Sequence, residues 1–133
     1  MAQTTWREGS SRVGIASGSD FTSSGTNYEP TFQIVKLNGS NQVVASAAST
    51  DKHIGVIMNC PTSGDTADVL LINNMGTGKV QAGGTVNVGD YLTSDASGHA
   101  VATTTSGDII IGQAIQAGAS GQTVEYISFR GKI

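Results

Sequence analysis

From Tyr28 onward the chain breaks into short apolar-rich runs that stop at glycine, asparagine, aspartate or proline. The runs are TFQIVKL (31–37), QVVAS (42–46), HIGVIM (53–58), ADVLLIN (67–73), GKVQAG (78–83), TVNVGDYLTS (85–94), HAVAT (99–103), DIIIGQAI (108–115) and TVEYISF (123–129). Each carries β-branched or aromatic residues, and the breakers between them, NGSN, PTSGD, MGTG, GG, DASG and GASG, have turn chemistry. No window between breakers is long enough for a helical stripe. VASAAST (44–50) is too short and too rich in Ser and Thr to nucleate a helix. The pattern predicts an all-β domain over residues 28–133, entered in extended form through Glu29-Pro30. Residues 1–27 show no sustained apolar period and read as an extended N-terminal arm. Trp6 is out of place in a solvated tail, because its large apolar area gains only by burial.

The pattern is also written twice. A gapless shift of 57 positions lays residues 44–70 on 101–127, pairing Val44-Ala45 with Val101-Ala102, Asp51 with Asp108, Ile54-Gly55 with Ile111-Gly112 and Ser63-Gly64 with Ser120-Gly121. The internal repeat runs over about 37–71 and 94–128. A unit of about three strands cannot bury its own apolar face, whereas two copies facing each other can, and sheets that close on each other lose their edges. Gly55 and Gly112 mark places where a strand bends or bulges. The expected fold is a small barrel or sandwich, β-tulip-like, built from two tandem β-repeats; alternation alone does not separate the two.

Composition narrows the function classes. The chain has 133 residues, 18 of them Gly, with 13% charged residues, the balance of an ordered strand-and-turn protein. The net charge of −3 with no basic run argues against nucleic acid as a partner. No apolar run approaches the ~18–20 residues of a membrane span, so no membrane partner is expected. MAQTTWREGSSRVG lacks a secretory pattern, and Cys60 alone makes no internal disulfide. A product of the cytoplasm fits, as does a viral particle assembled there.

Catalytic motifs are weak. His53 and His99 fall at near but unequal places in the repeat and read as turn or surface positions rather than catalytic ones. No G-x-S-x-G elbow and no H-x-x-H or C-x-x-C spacing occurs. MGTGKVQAGG (75–84) resembles a phosphate loop, but Val80 after Lys79 continues a strand. Asp95-Ala-Ser-Gly98 lacks the later acidic ligands of a calcium loop. Cys60, before Pro61, reads as a small buried hydrophobe at a strand end. No enzyme activity, cofactor or metal is expected. GGTVNVGDYL (83–92) is similar to the turn of biotinyl and lipoyl carrier domains, with Lys52 as the corresponding carrier lysine; the plainer reading is a strand, a Gly-Asp turn and a strand.

Residues 30–130 as an ordered set of phrases resemble the small capsid cement, decoration or head-stabilising proteins of tailed bacteriophages. The phrases are FQIVKLNGSNQVVASAAST (32–50), the I-G-V strand (54–56), S-G-D-T (63–66), GDYLTSDASGHAV (89–101), I-G-Q-A (111–114) and SGQTVEYISF (120–129). The resemblance implies a binding protein that sits on the outer surface of the expanded head in the virion and stabilises the shell. It implies the major capsid protein as partner and a homotrimer at three-fold and quasi-three-fold positions. The arm would add a strand to a capsid sheet edge, with Thr4, Thr5, Trp6 and Arg7 as the capsid-binding residues and Trp6 as anchor. The alternatives are a trimeric phage fibre or receptor-binding β-module and the carrier domain.

Overall fold

The computed structural model describes residues 12–21, 32–73 and 76–133, and these hold ten strands and no helix. The strands are β1 (Arg12–Ala16), β2 (Ile34–Leu37), β3 (Val43–Ala45), β4 (His53–Ile57), β5 (Thr66–Leu71), β6 (Thr77–Gln81), β7 (Tyr91–Ser94), β8 (Ala100–Ala102), β9 (Ile109–Ala114) and β10 (Thr123–Lys132). They form two five-stranded antiparallel sheets, ordered β1-β5-β4-β2-β3 and β6-β10-β9-β7-β8. The second order is the first with every strand replaced by its counterpart five strands later. The shift of 57 seen in the sequence carries β2 onto β7 and β3 onto β8 residue for residue, and β4 and β5 onto β9 and β10. β1 and β6 correspond at a longer offset.

Register repeats as faithfully as order. Gly55 lies between Val35 and Leu71, and Gly112 lies between Leu92 and Ser128, the same places one repeat later. A Cβ at Gly55 would land on the Leu70 carbonyl oxygen, and one at Gly112 on the Ile127 carbonyl oxygen. Both positions therefore demand glycine for close backbone approach. The two hairpin turns are copies too. Asn38 Oδ1 accepts from the Ser40 and Gln42 N–H groups at 2.9 and 3.0 Å, and Asp95 Oδ1 accepts from Ser97 and His99 at 2.8 and 2.9 Å. These are side-chain-capped turns of the kind Asn and Asp favour.

Each sheet curls until its edges meet. Ser17, just past β1, makes a parallel bridge to Val43 on β3, and Ala82, just past β6, makes one to Ala100 on β8. The curl of the first sheet encloses Val13, Phe21, Val35, Val43, Ile57, Ala67 and Val69. The curl of the second encloses Val80, Val86, Leu92, Ala100, Ala114, Val124 and Tyr126, and this core also takes in Ile34, Val56 and Ile72 from the first half. Fully burying an aliphatic side chain is worth about 1.5–3 kcal/mol, so three of them make a substantial joint between halves. Backbone bonds seal it. Gln81 N–H donates to the Phe32 carbonyl at 3.0 Å, and Ile34 N–H donates to the Gly98 carbonyl at 2.7 Å. Residues 32–34 thus run between β6 and the β7–β8 turn.

Two expectations change. Residues 12–21, placed in the arm by the sequence pattern, belong to the β-domain: β1 is an edge strand paired with β5, and Val13 and Phe21 are core. The run RVGIA is too short to stand out from its Ser- and Gly-rich flanks. The strand expected from 85 starts only at Tyr91, because 87–90 turns through Gly89 at φ 94° after an isolated Val86–Gly118 bridge.

Candidate functional site

A polar joint lies where the start of β4 meets the second half. His53 is wholly buried, with Nδ1 2.8 Å from Ser46 Oγ. Burial pushes the imidazole pKa below its ordinary value, against the opposing pull of the Asp51 carboxylate and the Ser49 and Ile109 carbonyls. Across the joint, Ile109 N–H donates to the Ser49 carbonyl at 2.9 Å. Thr93 Oγ1 bonds the carbonyls of Ser49 and Ile109 at 3.1 and 2.8 Å, and Arg130 Nη2 donates to the His53 carbonyl at 2.7 Å. Hydrogen bonds from the Ser49 and Thr103 side chains hold the Asp108 carboxyl below the usual range. Asp51 is the counterpart of Asp108 one repeat earlier. Burial works to raise its pKa, but Lys36 Nζ at 2.8 Å and the Ala47 and Ala48 N–H groups at 2.8 and 3.1 Å bring it down overall.

A serine beside a histidine is the beginning of a nucleophile–base pair. Ser46 and His53 are both wholly buried, however, so the pair has no face that a substrate reaches. It acts as a polar tie between the β3–β4 segment and β4. His53 is therefore a core residue rather than the turn or surface position expected. His99 does sit at a turn, its Nδ1 3.8 Å from Asp95 Oδ2. Lys52 is exposed at the bend before β4. Cys60 is exposed, not buried as expected, because the chain has left β4 by that point. Among the described residues, no group of three or more His, Cys, Asp or Glu side chains is placed to hold a metal ion.

Two surface features stand out. A groove of about 400 Å³ between the halves is lined by Phe32, Met58, Leu70, Thr77, Lys79 and Glu125. The outer side of the second sheet is more apolar. Tyr91, Ile127 and Phe129 are 44%, 43% and 36% exposed, and the Tyr91 and Phe129 rings meet edge to face with centroids 6.4 Å apart. Val88 and Ile115 are also exposed. They flank the same end of the sheet, where the Gly89 N–H bonds the Ala114 carbonyl at 2.8 Å. Exposed aromatic and aliphatic side chains gathered on one face mark contact surfaces. Sequence reasoning missed this face, since each of these residues sits in or beside a run whose apolar character was assigned to the core. Thr4, Thr5, Trp6 and Arg7, the residues singled out for capsid binding, lie outside the described residues.

No family model and no curated protein matches the chain. Among solved structures it is similar to the head fiber gp8.5 N base of bacteriophage phi29, at 20% identity and TM-score 0.68 over 92% of this chain and 96% of that one. At that identity the likeness is one of fold.

Proposed function

We propose that this chain is a non-enzymatic structural protein of a phage head, binding the outer surface of the expanded shell and stabilising it as a cement or decoration protein. The observation that carries the reading is the shared fold with a head-associated phage protein across nearly the whole of both chains. The ordered phrases of residues 30–130 support it independently.

The mechanism follows from linkage. A protein that binds the expanded lattice and not the unexpanded one stabilises the former by about 2.7 kcal/mol per site at a hundredfold excess over Kd. Three linked copies, as in a homotrimer at three-fold and quasi-three-fold positions, make the second and third contacts intramolecular and raise avidity without new chemistry. The segment ahead of β1 would add a strand to a sheet edge of the major capsid protein, with Trp6 anchoring and Thr4, Thr5 and Arg7 beside it.

The test is co-sedimentation of the purified chain with empty expanded heads of a tailed bacteriophage, set beside unexpanded heads of the same coat protein. Saturable binding to expanded heads, weaker binding to unexpanded ones and loss of occupancy on deleting residues 2–11 are expected. Equal occupancy of both head forms, or none, overturns cement action; unchanged occupancy after the deletion overturns the arm.

The name of the structural neighbour, a head fiber base, favours a second reading in which the chain seats a fibre on the head. Heads carrying or lacking the chain would then differ in attachment to host cells rather than in resistance to heat.

A further inference from the structure

The joint between the two halves joins unlike surfaces, although the halves themselves are alike. The first half contributes an outer row of its sheet, Ile34–Val56–Leu70, paired side by side across β2, β4 and β5 and continued by Ile72. The second half contributes the open side of its curl. There Gly98 accepts from Ile34 N–H, a Cβ at Gly78 would touch the Leu70 side chain, and Ser128 Oγ bonds the Ile72 carbonyl.

Each of these surfaces has a counterpart one repeat away that is in large part uncovered, Val13, the buried counterpart of Gly78, being the exception. The row equivalent to Ile34–Val56–Leu70–Ile72 is Tyr91–Gln113–Ile127–Phe129, paired in the same register across β7, β9 and β10. Ile34, Val56 and Ile72 are buried, whereas Tyr91, Ile127 and Phe129 are exposed and Gln113 is half-buried. On the open side the contrast runs the other way. Gly98, Ser94 and Ile111 of the second half are buried, while their equivalents Asn41, Leu37 and Ile54 are exposed or half-buried.

We propose that a second copy of this chain covers the Tyr91–Ile127–Phe129 row, presenting to it the open side of its own first half. The contact is head-to-tail and reproduces between molecules the joint already made within one. A heterologous contact of this kind closes into a ring or runs on as a filament, according to the rotation between successive units. The inference rests on the self-association in the proposed function and adds which faces meet; it does not need a capsid, so failure of head binding and failure of this contact are told apart.

The internal joint also designs the test. A Cβ at Gly98 would lie 3.4 Å from the Ala45 Cβ, near the separation a disulfide requires. The corresponding intermolecular pair is Asn41 of one copy and Ala102 of the next, both exposed. Two single-cysteine chains, Asn41→Cys and Ala102→Cys, each also carrying Cys60→Ser, would be oxidised separately and mixed. A covalent dimer in the mixture and in neither chain alone is expected. A dimer of either chain with itself, or no dimer in the mixture, overturns the proposal. Light scattering on the unsubstituted chain needs no variant to fold: a mass above the monomer is expected, discrete for a ring and growing with concentration for a filament, and reduced by Ile127→Glu through about a tenfold or greater rise in Kd. A monomer up to about 0.1 mM, where a contact of ~10 µM Kd is mostly filled, overturns it, as does an assembly that Ile127→Glu leaves unchanged.

Discussion

Phe32 and Gly89 hold the same place in the two halves: both have positive φ, 65° and 94°, and both donate N–H to the end of the paired strand, at Ile57 and Ala114, over 2.8 Å. Asn41 and Gly98 form a second such pair, at φ 61° and 81°. The fold asks for a left-handed residue at both points in each half. Glycine supplies it in the second, while an aromatic and an amide supply it in the first. Phe32 bears the conformation because its ring packs against the second half's core. Asn41 is exposed and is one of the side chains that tolerate it best.

Asn41→Gly is accordingly expected to leave stability unchanged or raise it by up to about 1 kcal/mol, and Asn41→Val to lower it by about 1–2 kcal/mol. Urea denaturation midpoints measure both. A large loss in the glycine variant would mean that the Asn41 side chain is needed for something other than backbone shape.

Gly55→Ala and Gly112→Ala each force a methyl group onto a carbonyl oxygen of the neighbouring strand. Each should cost about 1–3 kcal/mol or more. Gly39→Ala, at a turn with open space around it, should change stability by less than about 0.5 kcal/mol. Thermal unfolding of the three variants side by side separates crowding from a general dislike of substituting glycine.

His53 makes the fold acid-sensitive. Burial lowers its pKa in the folded state, so the unfolded chain takes up a proton first as pH falls below about 6.5. Stability from keeping the ring neutral is present above that value and drains away as pH drops toward the folded-state pKa. Asp51 and Asp108, also lowered, add their own loss at more acid pH, as pH falls through the carboxylate range. The melting temperature should fall between pH 7 and pH 5 in the native chain. In His53→Gln, less stable overall, the slope over that interval should flatten; an unchanged slope would assign the acid sensitivity elsewhere.

The second half depends on the first for part of its core. Residues 76–133 alone, lacking Ile34, Val56 and Ile72, should bind a hydrophobic dye and unfold without a sharp transition, while adding residues 12–73 should restore cooperative unfolding. Cooperative melting of the isolated 76–133 piece, monitored by circular dichroism, would refute the dependence.

Much of this architecture was legible in the residues. Nine of the ten strands follow from β-branched runs between breakers, and the Ile-Gly pairs at Gly55 and Gly112 announced the repeat, though they read as bends or bulges rather than as the close strand approach found there. What escaped has physical reasons. β1 is five residues long amid Ser and Gly, and it owes its place to pairing with β5, a partner more than fifty residues away. Where β2 passes between the two cores both of its faces are buried, so Ile34 and Val35 look alike in sequence though they serve different cores. The exposed face of Tyr91, Ile127 and Phe129 was hidden because alternation reports that two sides differ, not which side meets water. His53 reads as a stray polar residue until the carbonyls and carboxylates around it are in place.

The threading of residues 32–34 between β6 and the β7–β8 turn sets an order on biosynthesis. The stripe of Ile34, Val56 and Ile72 leaves the ribosome long before the strands that cover it exist, so the nascent first half emerges with an oily flank exposed. Until translation reaches β10, that flank is open to any neighbouring chain, and the vulnerable window closes only with the last strand.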